Sequence, residues 1–199
     1  MIKTIAVGNM GVNCYLVCDG EKTVVIDPGD DFEKIKSLAG GKIDAVLLTH
    51  GHFDHIGAVA SLQKEGARVY VSQEDADMLF DNKKCLGAFA GVFIEPSNAD
   101  CQVDDGDEII VGKMKFSVIS TPGHTKGSVC YKFEDVLFSG DTLFCGSVGR
   151  WDFPGGDFEA LIKSIKEKIF VLDGNTRVLP GHGDESTVKQ EKTFNPFVR

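Results

Sequence analysis

Metal-ligand chemistry is concentrated in one short stretch of this chain, Thr49-His50-Gly51-His52-Phe53-Asp54-His55, which holds three of the protein's five histidines and an aspartate. In an extended segment alternate side chains share a face, so His50 and His52 can converge on one ion. Asp54 and His55, carried round by a turn, then face a second point nearby. A histidine-rich surface loop is the bland alternative. It fits poorly with a chain that spends most of its histidines in one place.

The other two histidines occupy matching contexts, Thr121-Pro122-Gly123-His124 and Leu179-Pro180-Gly181-His182. Each follows an apolar run and a Pro-Gly turn able to fix where the imidazole points. Asp141 ends the run Leu137-Phe138-Ser139-Gly140-Asp141, and Asp27 ends another before Pro28-Gly29. Five strand ends therefore carry potential ligands.

The elements that must position these groups are readable from hydrophobic pattern. Residues 14–17 and 23–26 read as a hairpin around Asp19-Gly20, and a helix from Asp30 or Asp31 presents Phe32, Ile35 and Leu38 on one face. A strand at 43–48, the histidine turn, a helix to about residue 65 and a strand at 68–71 complete an alternating first part. Residues 73–105 are the least regular: 74–80 suggests a helix, and 86–93 suits a loop, a short helix over a cleft or a surface insertion. Strands follow at 108–111, 115–119, 128–133 and 136–138. Asp157 is the expected N-cap of the clearest helix, with Phe158, Leu161, Ile162, Ile165 and Ile169 at helical spacing, and 177–179 is the last expected strand. Blocks of strands alternating with helices imply two sheets packed face to face with helices outside, and no linker divides residues 1–199, so a single domain is expected.

A formal net charge of −9 and the absence of a Lys/Arg run argue against nucleic acid or an anionic membrane as partner. No apolar run approaches a membrane span, and the N-terminus enters strand-like alternation without a signal-peptide core, so a cytoplasmic protein is expected. The six cysteines form no Cys-x-x-Cys pair and read as free thiols, mostly buried; Cys145 stands out for its closeness to Asp141.

His-x-His-x-Asp-His, Pro-Gly-His, Gly-Asp and a second Pro-Gly-His together resemble the metallo-β-lactamase superfamily across essentially the whole chain. The resemblance implies a four-layer αββα sandwich of the α/β (α+β) class. It implies His50, His52 and His124 on one metal, Asp54, His55 and His182 on a second, Asp141 bridging them, and Asp27 orienting a ligating histidine. Two divalent ions, zinc foremost with iron or manganese as alternatives, would hold a bridging hydroxide that attacks a substrate carbonyl, Asp54 and Asp141 serving the chemistry. Asp141 stands where zinc β-lactamases most often use Cys, which points away from antibiotic hydrolysis.

The runs around His124, Asp141 and Asn195-Pro196-Phe197 are most similar to glyoxalase II, the hydroxyacylglutathione hydrolases, and to their short bacterial relatives. The expected activity is hydrolysis of a small thioester such as S-lactoylglutathione. The chain stops where longer glyoxalase II enzymes continue into a helical glutathione-binding segment. Arg150 and Trp151 are candidate substrate contacts, Arg150 toward a carboxylate. Persulfide dioxygenases, which use one iron on two histidines and an aspartate (here His50, His124 and Asp141), share the Gly149-Arg150-x-Asp152-Phe153 pattern. They usually carry Ala where Gly181 precedes His182, which favours the hydrolase; a lactonase or phosphodiesterase on the same scaffold is a further alternative.

Overall fold

A computed structural model describes residues 1–198. Among them, one six-stranded sheet has the order β1 (Ile2–Val7), β2 (Val12–Cys18), β3 (Thr23–Ile26), β4 (Ala45–Leu47), β5 (Arg68–Ser72), β6 (Cys101–Val103). β1 to β3 pair antiparallel and β3 to β6 parallel. The second sheet takes in β7 (Glu108–Val111), β8 (Met114–Ser120), β9 (Val129–Phe133), β10 (Val136–Gly140), β13 (Arg177–Pro180) and β14 (Ser186–Thr187), in the order β14-β13-β10-β9-β8-β7. A two-stranded ribbon, β11 (Leu143–Phe144) and β12 (Ser147–Val148), stands apart.

The strand period of two explains why the strands are apolar runs rather than alternating ones. Val24, Ile26, Ala45 and Leu47 point into an inter-sheet core with Phe116, Val118, Tyr131, Phe138 and Leu179. Their neighbours Val25 and Val46 point outward, against α1 (Phe32–Ala39) through Ile35, α2 (Phe53–Ile56) through Ile56 and α3 (Val59–Lys64) through Val59 and Leu62. On the far side Leu137 and Val178 meet α5 (Phe158–Ser164) and Val188 of α6 (Val188–Phe194). Strands covered on both faces must be apolar at every position. The result is the expected αββα sandwich.

Local expectations are met or corrected for identifiable reasons. Asp157 caps α5, its Oδ1 accepting the Ala160 N–H at 2.9 Å. The helix then continues to Ile169 through a π turn, Ile165–Ile169. The single helix expected up to residue 65 is instead α2 and α3: between them the Ala58 N–H donates to the Pro28 carbonyl at 2.9 Å, and Gly57 lies so close to this turn that a Cβ there would be 2.1 Å from the Gly29 carbonyl oxygen. The segment at 74–80 is a 3₁₀ helix, Gln73–Leu79, and 86–93 contains the four-residue helix α4 (Gly87–Ala90). The short strands β6, β11, β12 and β14, and the polar α6, were not expected from the pattern.

Candidate metal centre

β3 and β4 are parallel neighbours, as are β10 and β13, and β8 runs with β10 because β9 opposes both. The C-terminal ends of β3, β4, β8, β10 and β13 carry Asp27, the His50–His55 turn, His124, Asp141 and His182. The sheets are tied together at this edge: Tyr15 Oη donates to the Pro180 carbonyl at 2.6 Å, Tyr131 Oη to the Leu48 carbonyl at 2.9 Å and Asn13 N–H to the Gly181 carbonyl at 2.8 Å. Gly140, with φ +49°, approaches Thr49 so closely that a Cβ would stand 2.2 Å from its Oγ1.

All seven expected ligands come together there. Ligand atoms of His50, His52 and His124 lie within 4.8 Å of one another, as do those of Asp54, His55 and His182; a third group, His50, His55 and Asp141, overlaps both. The Asp141 carboxylate spans the two: Oδ1 is 3.4 Å from His55 Nε2, and Oδ2 is 3.6 Å from His124 Nε2 and 3.7 Å from His182 Nε2.

The rings are oriented from behind. His55 Nδ1–H donates to Asp27 Oδ2 at 3.0 Å and His124 Nδ1–H to the Arg150 carbonyl at 2.7 Å. Thr49 Oγ1 donates to Asp27 Oδ2 at 2.7 Å and so accepts from His50 Nδ1, 3.2 Å away. Each of these contacts leaves an Nε2 aimed into the cluster. His52 Nδ1 faces His124 Nε2 at 2.9 Å.

Does this donor set suit a metal? The Nε2 atoms of His50, His52 and His55 and Oδ1 of Asp141 are buried with no hydrogen-bond partner among the described residues. Buried polar atoms left unpaired cost about 1–3 kcal/mol each, so four of them on residues of these overlapping groups call for a ligand. Imidazole and carboxylate suit zinc, iron and manganese.

Protonation is divided unevenly across the cluster. Burial, with His55 and His124 close by, pushes His50 well below the ordinary imidazole value, and burial with His124 takes His52 down to about 3. For His55 burial acts downward too, but Asp141, Asp54 and Asp27 carry it well above the ordinary value. His182, against the same opposing burial, is raised by Asp54 and Asp141. Asp54 and Asp141 are lowered by the histidines in spite of burial, His55 first.

A family profile described as "Metallo-beta-lactamase superfamily" matches residues 7–182. The chain belongs to that superfamily. Among its metallo-beta-lactamase relatives, a Haemophilus influenzae protein named "Hydroxyacylglutathione hydrolase GloC" is 36% identical over 99% of this chain and 97% of its own. Two solved structures superpose closely. The B3 metallo-beta-lactamase BLEG-1 is 39% identical with a TM-score of 0.93, covering 100% of this chain and 99% of that one. TTHA1623 in a di-iron-bound form is 40% identical with a TM-score of 0.88, covering 98% and 99%.

A cavity of about 350 Å³ opens onto the cluster in this metallo-beta-lactamase fold, walled by Met10, Leu86, Phe89, Phe144, Val148 and Phe153, with His52, Asp54, His124, Asp141 and His182 at its floor. Arg150 reaches the wall, but its guanidinium is paired with Asp152 through two bonds of 2.9 Å and lies 4.0 Å over the Phe153 ring. Trp151 packs instead on Phe158 and Phe197 and does not line the cavity. Leu86 and Phe89 of the apolar wall belong to the 86–93 segment, for which a short helix over a cleft was one expectation, whereas sequence reasoning missed Met10, which carries no periodic signal. It also missed Asp75, which looks like an ordinary first-turn acid after the cap Ser72.

Proposed function

We propose that the protein is a binuclear metal-dependent hydrolase of a small thioester such as S-lactoylglutathione. The observation that carries this reading is the convergence of seven His and Asp ligands, four of whose buried atoms have no other partner among the described residues. His50, His52 and His124 would hold one ion, Asp54, His55 and His182 the other, and Asp141 would contact both. Bound metal would supply a water acidic enough to serve as nucleophile near neutral pH and a Lewis acid for the thioester carbonyl.

The chain's own part is positioning and exclusion of water. Asp27 and the Arg150 carbonyl fix the tautomers of His55 and His124. Asp54, with Oδ2 3.4 Å from His182 Nε2, borders the cavity where the reacting carbonyl would sit and would orient a nucleophile there. Met10, Leu86, Phe89, Phe144 and Phe153 offer an apolar surface to the acyl or thiol portion. Six free cysteines accord with a reducing, cytoplasmic setting.

Elemental analysis with substrate turnover tests the reading. Two ions per chain and faster hydrolysis of S-lactoylglutathione or a simpler acyl thioester than of a lactone, a phosphodiester or a chromogenic cephalosporin are expected. One iron per chain with oxygen uptake on glutathione persulfide would overturn it, as would full thioesterase activity after complete demetallation.

A further inference from the structure

We propose that Asp75 is a positioning residue for the His50, His52 and His124 half of the metal centre, locking two ligand-bearing segments from different sheets into one rigid arrangement. The inference rests on the metal reading above. Asp75 lies in the 3₁₀ helix Gln73–Leu79, is fully buried and is not a member of the ligand groups. Its carboxylate instead receives three donors. Oδ2 accepts the Gly51 N–H at 3.1 Å and the Thr125 hydroxyl at 2.7 Å, and Oδ1 accepts the Gly127 N–H at 3.0 Å.

The position of those donors gives the contact its meaning. Gly51 stands between His50 and His52, at the end of β4 in the first sheet. Thr125 follows His124, in the loop after β8 in the second. One carboxylate thus joins the two segments that supply three ligands. Contact is tight: a Cβ on Gly127 would fall 2.5 Å from Asp75 Oδ1, and one on Gly51 would fall 3.1 Å from the Asp75 carbonyl oxygen. Thr125 Oγ1 and Ser128 Oγ, 2.8 Å apart, brace the same loop.

Only a carboxylate meets the demand. Three N–H or O–H groups converge on two acceptor oxygens, whereas an amide would offer one oxygen and turn an NH₂ toward a donor. Burial raises the pKa of Asp75, so the charge is held against a desolvation cost that the three bonds offset. His55, at the other half, is oriented by Asp27 instead. Loss of Asp75 should therefore fall on one metal position and spare the other.

The test is stepwise Co(II) titration of the demetallated full-length chain, following the cobalt absorption bands, with metals per chain counted by elemental analysis. Asp75→Asn is expected to weaken one of two binding steps by about 10- to 100-fold and leave the other at its parent value. Thr125→Val, which removes one of the three donors, should weaken the same step less, and Thr125→Ser should restore it. Thermal melts in chelator separate loss of fold from loss of metal; if Asp75→Asn does not fold, the Thr125 pair decides. Parent affinity at both steps in folded Asp75→Asn, equal weakening of both, or parent-like binding by Thr125→Val would overturn the role. A parent chain that binds no cobalt would overturn the metal reading itself.

Discussion

Gly181→Ala should separate the two metal positions. Gly181 is not among the positive-φ glycines, so alanine meets no backbone strain there. It is small for another reason: a Cβ would stand 2.3 Å from Asp141 Oδ1 and 2.8 Å from His55 Cε1. Ordinary contact begins at 3.4 Å, so Asp141 or its neighbours must give way by about 1 Å. Overpacking of this kind costs about 1–3 kcal/mol. At 1.4 kcal/mol per tenfold that is a loss of about 5- to 150-fold in affinity. It falls hardest on the Asp54, His55 and His182 position, where Asp141 and His55 are both displaced; the other position shares only Asp141 and keeps His50, His52 and His124 in place. Elemental analysis and metal titration of the folded variant should show one tight ion and one weakened. Two ions at parent affinity, or equal loss of both, would refute the steric argument and with it the claim that glycine at this position favours a binuclear over a mononuclear centre.

Asp141→Asn removes one of the two charged oxygens facing both halves; fewer than two ions per chain and loss of thioester turnover are expected, checked by elemental analysis and a kinetic assay. Glu191→Ala leaves the Gly146 N–H and the Asn195 side-chain amide, each 2.9 Å from Glu191 Oε2, without their charged partner. A destabilisation of about 3 kcal/mol should appear in denaturant unfolding. Alkylation of the native protein should label exposed Cys145 and spare buried Cys14, Cys85 and Cys130, whose thiols burial pushes up, Cys130 to about 11; peptide mass spectrometry reads this out. Acidification should release metal from the Asp54, His55 and His182 half first. There the raised imidazole pKa values mean protons compete with metal at higher pH, whereas His50 and His52 stay neutral to lower pH. Metal content after dialysis at stepped pH checks the order.

The fold was legible where one physical cause dominates. Strands buried on both faces must be apolar throughout, which made β3, β4 and β10 visible; Asp157 and the spacing of Leu161, Ile165 and Ile169 did the same for α5. What escaped depends on distant contacts. The division of α2 from α3 lies where the Pro28-Gly29 turn meets Gly57 and Ala58, residues far apart from it in sequence. The helix α6 is mostly polar, and its cap, Thr187 Oγ1 accepting the Gln190 N–H at 3.2 Å, resembles many turns. β11 and β12 have two residues each, too few to show a period.

The candidate ligands were legible for a related reason: each sits at the end of a strand whose register is fixed by core packing on both faces. Shifting β10 by one residue would exchange Phe138, in the inter-sheet core, with Leu137, under α5, and would carry Asp141 away from the cluster with them. The groups that hold the ligands in orientation lack such a marker. Asp75 and Thr125 act from segments whose local pattern, a helix cap and a loop, is fully explained without any site. Arg150, the candidate contact for a substrate carboxylate, lines the cavity, but the sequence did not show that Asp152 two residues on and the Phe153 ring already engage its guanidinium. A motif thus reports which atoms are available for chemistry, while the hydrogen bonds that orient or engage them follow from three-dimensional packing.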